Sequence, residues 1–89
     1  MKSINILVHG KVQGVFFRMT ALTKAIELNL KGSVQNKADG SVYIEAEGEN
    51  ENLENFLSWC KIGPEKAIVS SVDVQEKSLR NFSAFLLKQ

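Results

Sequence analysis

The sequence predicts an α+β fold, a two-layer sandwich of the split β-α-β type (βαββαβ) in which two helices cover one face of a mostly antiparallel sheet. Three observations lead there. Residues 4–9 and 41–47 alternate apolar with polar side chains, the period of a strand with one buried face. Two other stretches, starting at Met19 and at Asn50, carry apolar residues at helical spacing. The order along the chain is strand, helix, strand, strand, helix, strand, and two right-handed crossovers put both helices on the same side of the sheet.

In the first strand Ile4, Ile6 and Val8 share one face, and Asn5, Leu7 and His9 the other. The string GKVQGVFFR that follows keeps neither period, and Gly10 and Gly14 bracket it as a tight loop. The first helix places Leu22, Ala25 and Ile26 on one side against Thr20, Thr23, Lys24 and Glu27, until Asn29 and Gly32 supply stop signals. Val34 and Asn36 then stand at strand spacing, and Val42, Ile44 and Ala46 alternate with Ser41, Tyr43, Glu45 and Glu47. The Asp39-Gly40 pair between them is a hairpin turn. Asn50 is placed to cap the second helix, whose stripe is Leu53, Phe56, Leu57 and Cys60 and whose end is Gly63-Pro64. Residues 68–74 are rich in β-branched side chains and form the next strand, and the apolar run 82–87 closes the chain with another. Asn5, His9, Tyr43 and Glu45 mark the face turned away from the helices, read here as open to water.

A chain of 89 residues suits a single domain spanning 1–89 with one core. Its 11 Lys and Arg nearly cancel 10 Asp and Glu, leaving a net charge of +1, so no broad basic field is available for nucleic acid or an anionic membrane. Cys60 is the only cysteine and cannot close an intramolecular disulfide, and no Cys/His cluster offers metal ligands, so neither metal nor cofactor is expected. The first apolar run is too short for a leader or a membrane span, which makes a cytoplasmic location and a monomer the expectation.

A glycine-bracketed loop between a strand and a helix can turn several backbone N–H groups toward one point beside the positive end of the helix dipole. Arg18, at the junction, can add a bidentate guanidinium fork for phosphoryl oxygens. On residue chemistry alone the plainer reading prevails: the glycines shape a turn and Arg18 is solvated, since the loop lacks the lysine and serine or threonine of a Walker motif. The full string alters that balance. VHGKVQGVFFR, residues 8–18, closely resembles the signature loop of the acylphosphatase family. GSVQNKADGSVYIEAEG, residues 32–48, and GPEKAIVSSV, residues 63–72, resemble two further blocks of that family, in the same order and spacing.

The resemblance implies a ferredoxin-like fold and hydrolysis of the carboxyl-phosphate anhydride of acyl phosphates, with inorganic phosphate or sulfate as competing anions. Carried over by motif position, the functional side chains are Arg18 and Asn36, and the backbone phosphate cradle comprises Lys11, Val12, Gln13, Gly14, Val15, Phe16 and Phe17. Three departures stand out: Ser33 where the family usually has a bulky aromatic, Asn29 where the helix exit usually has glycine, and Ala21 where many members have a hydroxyl that can touch the asparagine. Asn29 can still take the left-handed conformation.

The chemistry suits such a site. An acyl phosphate expels a carboxylate whose conjugate acid has a pKa of about 4, so no general acid is required. Asn36 has no useful basicity, and its amide is suited to holding a water in line while the proton passes to a phosphate oxygen. Strand alternation puts Asn36 on the helix-covered face with Val34. Of the remaining reactive side chains, His9 is read as structural and Cys60 as a core thiol. One of Phe16 and Phe17 goes to the core and the other to the site entrance. Glu45, Glu47, Glu49 and Glu51 read as a solvated edge, and Trp59 and Tyr43 as packing residues. Two rivals are a non-catalytic module binding RNA or a small anion on the open sheet face, and a carbamoyl-phosphate-processing unit of a larger protein. The end of the chain at Gln89 without a cysteine-rich continuation favours the free-standing enzyme.

Overall fold

The computed structural model describes residues 1–89. Its elements are β1 (Lys2–Lys11), α1 (Phe17–Glu27), β2 (Lys31–Asn36), β3 (Val42–Gly48), α2 (Asn50–Ile62), β4 (Ile68–Lys77) and β5 (Phe85–Leu87). The five strands lie in the order β4-β1-β3-β2-β5, antiparallel except for the parallel pair β2 and β5. This is the expected α+β arrangement, with the closing strand shorter than its apolar run suggested.

The core lies between the sheet and the helices. Ile4, Ile6 and Val8 of β1 face Ala46, Ile44 and Val42 of β3 across the ladder, with Val34 of β2 beside them, and all are buried. Full burial of such a branched side chain contributes about 1.5–3 kcal/mol. Leu53, Phe56 and Cys60 cover them from α2. From α1 the buried residues are Phe17, Ala21 and Ala25, spaced four apart on one face. This stripe is rotated from the one expected: Ile26 is exposed, because the helix starts at Phe17 and that ring sets which side faces inward.

The helix ends follow local rules. Asn29 sits at φ 56 after the last turn of α1; its N–H donates to the Ile26 carbonyl at 3.1 Å and that of Leu30 to Ala25 at 2.9 Å, the double closure of a left-handed C-terminal cap. Asparagine thus does the work expected of glycine there. The residue preceding α2 is Glu49 in extended conformation, not Asn50, which is already helical. The register of β1 against β4 shifts between His9 and Gly10, which lets the strand run on to Lys11 and places that residue in the sheet instead of the loop. A side chain at Gly10 would meet the Ile68 carbonyl.

The face away from the helices is not simply open. Because β4 and β5 occupy opposite edges of the sheet, residues 78–84 must cross between them, and Arg80 fastens this crossing. The Arg80 N–H donates to Glu47 Oε2 at 2.6 Å and the Phe82 N–H to Glu47 Oε1 at 3.0 Å. The guanidinium donates to Ser3 Oγ at 2.7 Å and pairs with Glu45 at 2.7 Å. Glu47, expected on a solvated edge, is 2% exposed. Strand alternation aims Glu45 and Glu47 at this face, and the crossing segment then buries Glu47 and half-buries Glu45 with their donors supplied.

Burial pushes the Glu47 carboxyl up, but the N–H groups of Arg80 and Phe82 and the Ser3 hydroxyl outweigh it and hold the group below its ordinary range. A carboxyl lowered in the folded state contributes stability that is present above its unfolded pKa of about 4.3 and is lost as pH falls through the lower folded value. Glu47→Gln is expected to destabilise the protein at neutral pH by about 1–3 kcal/mol and to flatten the fall in melting temperature below about pH 4, as read by thermal melts across pH.

Candidate active site

The loop between β1 and α1 is pinned by its valines. Val12 and Val15 are buried, which turns the intervening Gln13 and Gly14 outward. Gly14 adopts φ 74, a left-handed value that costs glycine nothing. Phe16, immediately before the helix, adopts φ 65 with its ring exposed, whereas Phe17 is buried with its ring centroid 5.1 Å from that of Trp59. The two adjacent phenylalanines therefore divide as expected.

None of the main-chain N–H groups from Val12 to Met19 donates to a backbone carbonyl; the first of the helix to do so is that of Thr20, to Phe16. The amides of the loop and of the first helical turn are thus available together, at the positive end of the α1 dipole. Arg18 lies in that first turn. Its Nη1 donates to the Lys88 carbonyl at 2.8 Å, and the Lys88 N–H donates to the Val34 carbonyl at 2.8 Å, so the end of the chain links the guanidinium to β2.

Asn36 is the last residue of β2, half-buried, opposite Val42 and on the same face as Val34. It meets Arg18 in one cleft of about 230 Å³, lined also by Val12, Gly14, Phe16, Phe17 and Met19. Of the residues the resemblance assigns to the cradle, Lys11, Gln13 and Val15 do not line this cleft. Lys11 is at the end of β1 and the Val15 side chain is in the core. Three larger clefts, of about 330, 410 and 250 Å³, lie between α2 and the β1/β4 edge, on the opposite sheet face, and beside Lys61 and residues 69–72, none with an arginine. Volume does not select the site; a phosphate-sized anion needs converging donors in a small space.

Gln13 has a role the sequence did not disclose. Its Nε2 donates to the carbonyls of Lys37 at 2.7 Å and Ser41 at 2.9 Å, bridging the loop to the two ends of the β2–β3 turn that follows Asn36. The turn is itself fixed: the Lys37 N–H donates to Ser41 at 2.8 Å, and Asp39 Oδ1 accepts from the Ser41 hydroxyl at 2.5 Å and its N–H at 3.0 Å. These Ser41 bonds hold the Asp39 carboxyl below its ordinary range. Polar glutamine inside a glycine loop was the available signal, but nothing in the chain says which carbonyls it will reach.

Two other reactive side chains stand apart. His9 Nε2 is 3.2 Å from Asp73 Oδ2 on the face away from the helices. Cys60 is fully buried, and burial pushes its thiol far above its ordinary pKa, which leaves it inert as a nucleophile.

Comparison with known proteins bears directly on this cleft. Residues 4–86 match the family model described as Acylphosphatase. The chain is 46% identical over 79 residues to an acylphosphatase from Methylococcus capsulatus, an alignment covering 89% of this chain and 86% of the relative. The chain belongs to the acylphosphatase family. Its fold superimposes on the crystal structure of acylphosphatase from Bacillus subtilis with a TM-score of 0.97 at 36% identity, covering 100% of both chains. A full-length HypF, crystallised in a phosphate- and nucleotide-bound form, also matches, with a TM-score of 0.88 and 30% identity over 99% of this chain but only 12% of that one. Family membership makes the chain a hydrolase acting on acid anhydrides. Its departures from the family pattern lie outside the lining of the cleft: Ser33 is buried with its Oγ 3.4 Å from Glu45 on the face away from the helices, Ala21 is a buried methyl on α1, and Asn29 ends that helix.

Gln13→Met keeps the length of the side chain and removes both donors. The variant is expected to lose about 1–3 kcal/mol of stability in urea unfolding, from two hydrogen bonds at about 0.5–1.5 kcal/mol each. Faster amide exchange at Lys37 and Gly40, whose N–H groups close the turn, is the local signature.

Proposed function

We propose that this chain hydrolyses acyl phosphates to a carboxylate and inorganic phosphate in the cleft between the β1–α1 loop and the end of β2. The observation that carries the reading is the meeting of Arg18 and Asn36 in one cleft, beside a run of main-chain N–H groups without backbone acceptors. The amides and the guanidinium hold the phosphoryl oxygens and stabilise their charge as the P–O bond to the acyl group breaks. The departing carboxylate needs no proton.

Asn36 holds the attacking water through its carboxamide, opposite the leaving group. Water adds to phosphorus, its proton goes to a non-bridging phosphate oxygen, and the bonding pair leaves with the carboxylate. In-line geometry is the contribution of this residue, since an amide cannot act as a base at neutral pH. The Lys88 carbonyl holds the guanidinium at one edge, leaving its other N–H groups for the anion. Inorganic phosphate, which matches the same donors, competes with substrate.

Release of inorganic phosphate from a synthetic acyl phosphate tests the assignment. Arg18→Ala should lower turnover by roughly 10³–10⁵ and abolish inhibition by phosphate, because ground-state and transition-state contacts vanish together. Near-normal turnover in that variant removes Arg18 from the mechanism. Asn36→Ala should lower kcat by about 10² and leave phosphate inhibition almost unchanged, since only the water is misplaced. Parallel losses in both measurements would assign Asn36 to anion binding instead.

A further inference from the structure

In the reaction proposed above, the anion and the attacking water are held by different parts of the chain. The loop amides and Arg18 hold the first, and Asn36, at the end of β2, holds the second. In-line attack depends on the distance between these parts, and a misplacement of about 1 Å can lower a rate roughly 10²-fold.

Little in the backbone fixes that distance. β1 and β2 are not neighbours in the sheet, because β3 lies between them. β1 pairs with β3 only as far as Val8, opposite Val42, and Val42 in turn faces Asn36, the last rung of the β2–β3 ladder. Beyond that rung the two segments diverge, and no backbone hydrogen bond joins residues 12–16 to residues 36–41. The Gln13 side chain makes the join, through its bonds to the Lys37 carbonyl at 2.7 Å and the Ser41 carbonyl at 2.9 Å. An amide nitrogen carries two hydrogens, so both are used on this one link.

The two ends of the link are not equally firm. Val12 and Val15 are buried and fasten the loop on either side of Gln13. Lys37, Ala38 and Asp39 are exposed, and the bonds from the Lys37 N–H to Ser41 and from the Gly40 N–H to Lys37 lie within the turn. Those bonds set the shape of the turn and not its place. Without Gln13 the turn shifts while the loop stays, and Asn36, bonded directly to Lys37, shifts with it. Gln13 does not line the cleft, so any effect on the reaction passes through another residue.

We infer that Gln13 is a positioning residue for the attacking water: by tying the β2–β3 turn to the anion loop it holds Asn36 where in-line attack requires it, and so governs turnover without governing phosphate affinity. This rests on the reaction proposed above and on Asn36 as the residue that holds the water.

The test measures kcat for benzoyl phosphate and inhibition by inorganic phosphate in the wild type, Gln13→Met, Gln13→Asn, Asn36→Ala and the double variant Gln13→Met/Asn36→Ala. In Gln13→Asn the amide is one carbon too short for both carbonyls, and this polar variant carries the same expectations if Gln13→Met does not fold. Each Gln13 variant should lower kcat by about 10-fold or more and change phosphate inhibition by less than about 2-fold. In the Asn36→Ala background, where no water is left to place, Gln13→Met should lower kcat no further, as expected of residues that act as a unit. A purely structural contribution lowers kcat equally in both backgrounds, and that result overturns the proposal. So does an unchanged kcat in the single variants, or a loss of phosphate inhibition parallel to the loss of kcat. The side-chain amide resonances of Asn36 supply a reading that needs no turnover: they should shift in Gln13→Met, and unmoved resonances overturn the link. If the wild type releases no phosphate from benzoyl phosphate the proposed reaction falls, while these resonances still decide whether Gln13 sets the position of Asn36.

Discussion

Burial of the Phe17 ring is the contact on which the rest of the site depends. Its centroid lies 5.1 Å from that of Trp59, which in turn packs at 6.0 Å from Phe56, so the first residue of α1 is bolted to the middle of α2. With that ring fixed inward, the residues on either side have little choice. Arg18 must leave the core at the first turn, and Phe16 must take a left-handed turn to bring the loop into the helix. The N–H groups of the first turn then point back toward the loop because a helix has no acceptors for them. The gathering of N–H groups without backbone acceptors follows from where one hydrophobic residue is buried.

A second constraint comes from the other end of the chain. β5 pairs with β2 in parallel, and reaching that edge from β4 obliges residues 78–84 to cross the sheet. The crossing is held by a carboxylate, Glu47, whose donors are mostly main-chain N–H groups. Once delivered, the segment ends with the Lys88 carbonyl against Arg18 and the Lys88 N–H against Val34. The guanidinium is thereby referenced to the strand that ends in Asn36. Packing of α1 and strand pairing at the sheet edge bring Arg18 and Asn36 to one cleft from opposite directions.

The same cleft joins two kinds of surface. Its polar side is made largely of main-chain groups, which any sequence possesses and which only the fold can converge. Its apolar side is made of side chains, Phe16 and Met19, which the fold leaves in water.

Much of this was legible before any coordinates. The two periodicities, the Asp39-Gly40 turn and the glycines at 10 and 14 each encode a local backbone preference, and local preferences survive folding. The loop string also carried the family resemblance, and strand alternation alone put Asn36 on the face of Val34. What the sequence could not supply depends on contacts between distant residues. The burial of Glu47 under Arg80, the reach of Gln13 to Lys37 and Ser41, and the hold of Lys88 on Arg18 link positions 24 to 70 residues apart. Sequence periodicity says which way a side chain points; only the closed sheet and the docked helices decide what it meets, because that is set by topology and by the space left after the core has packed.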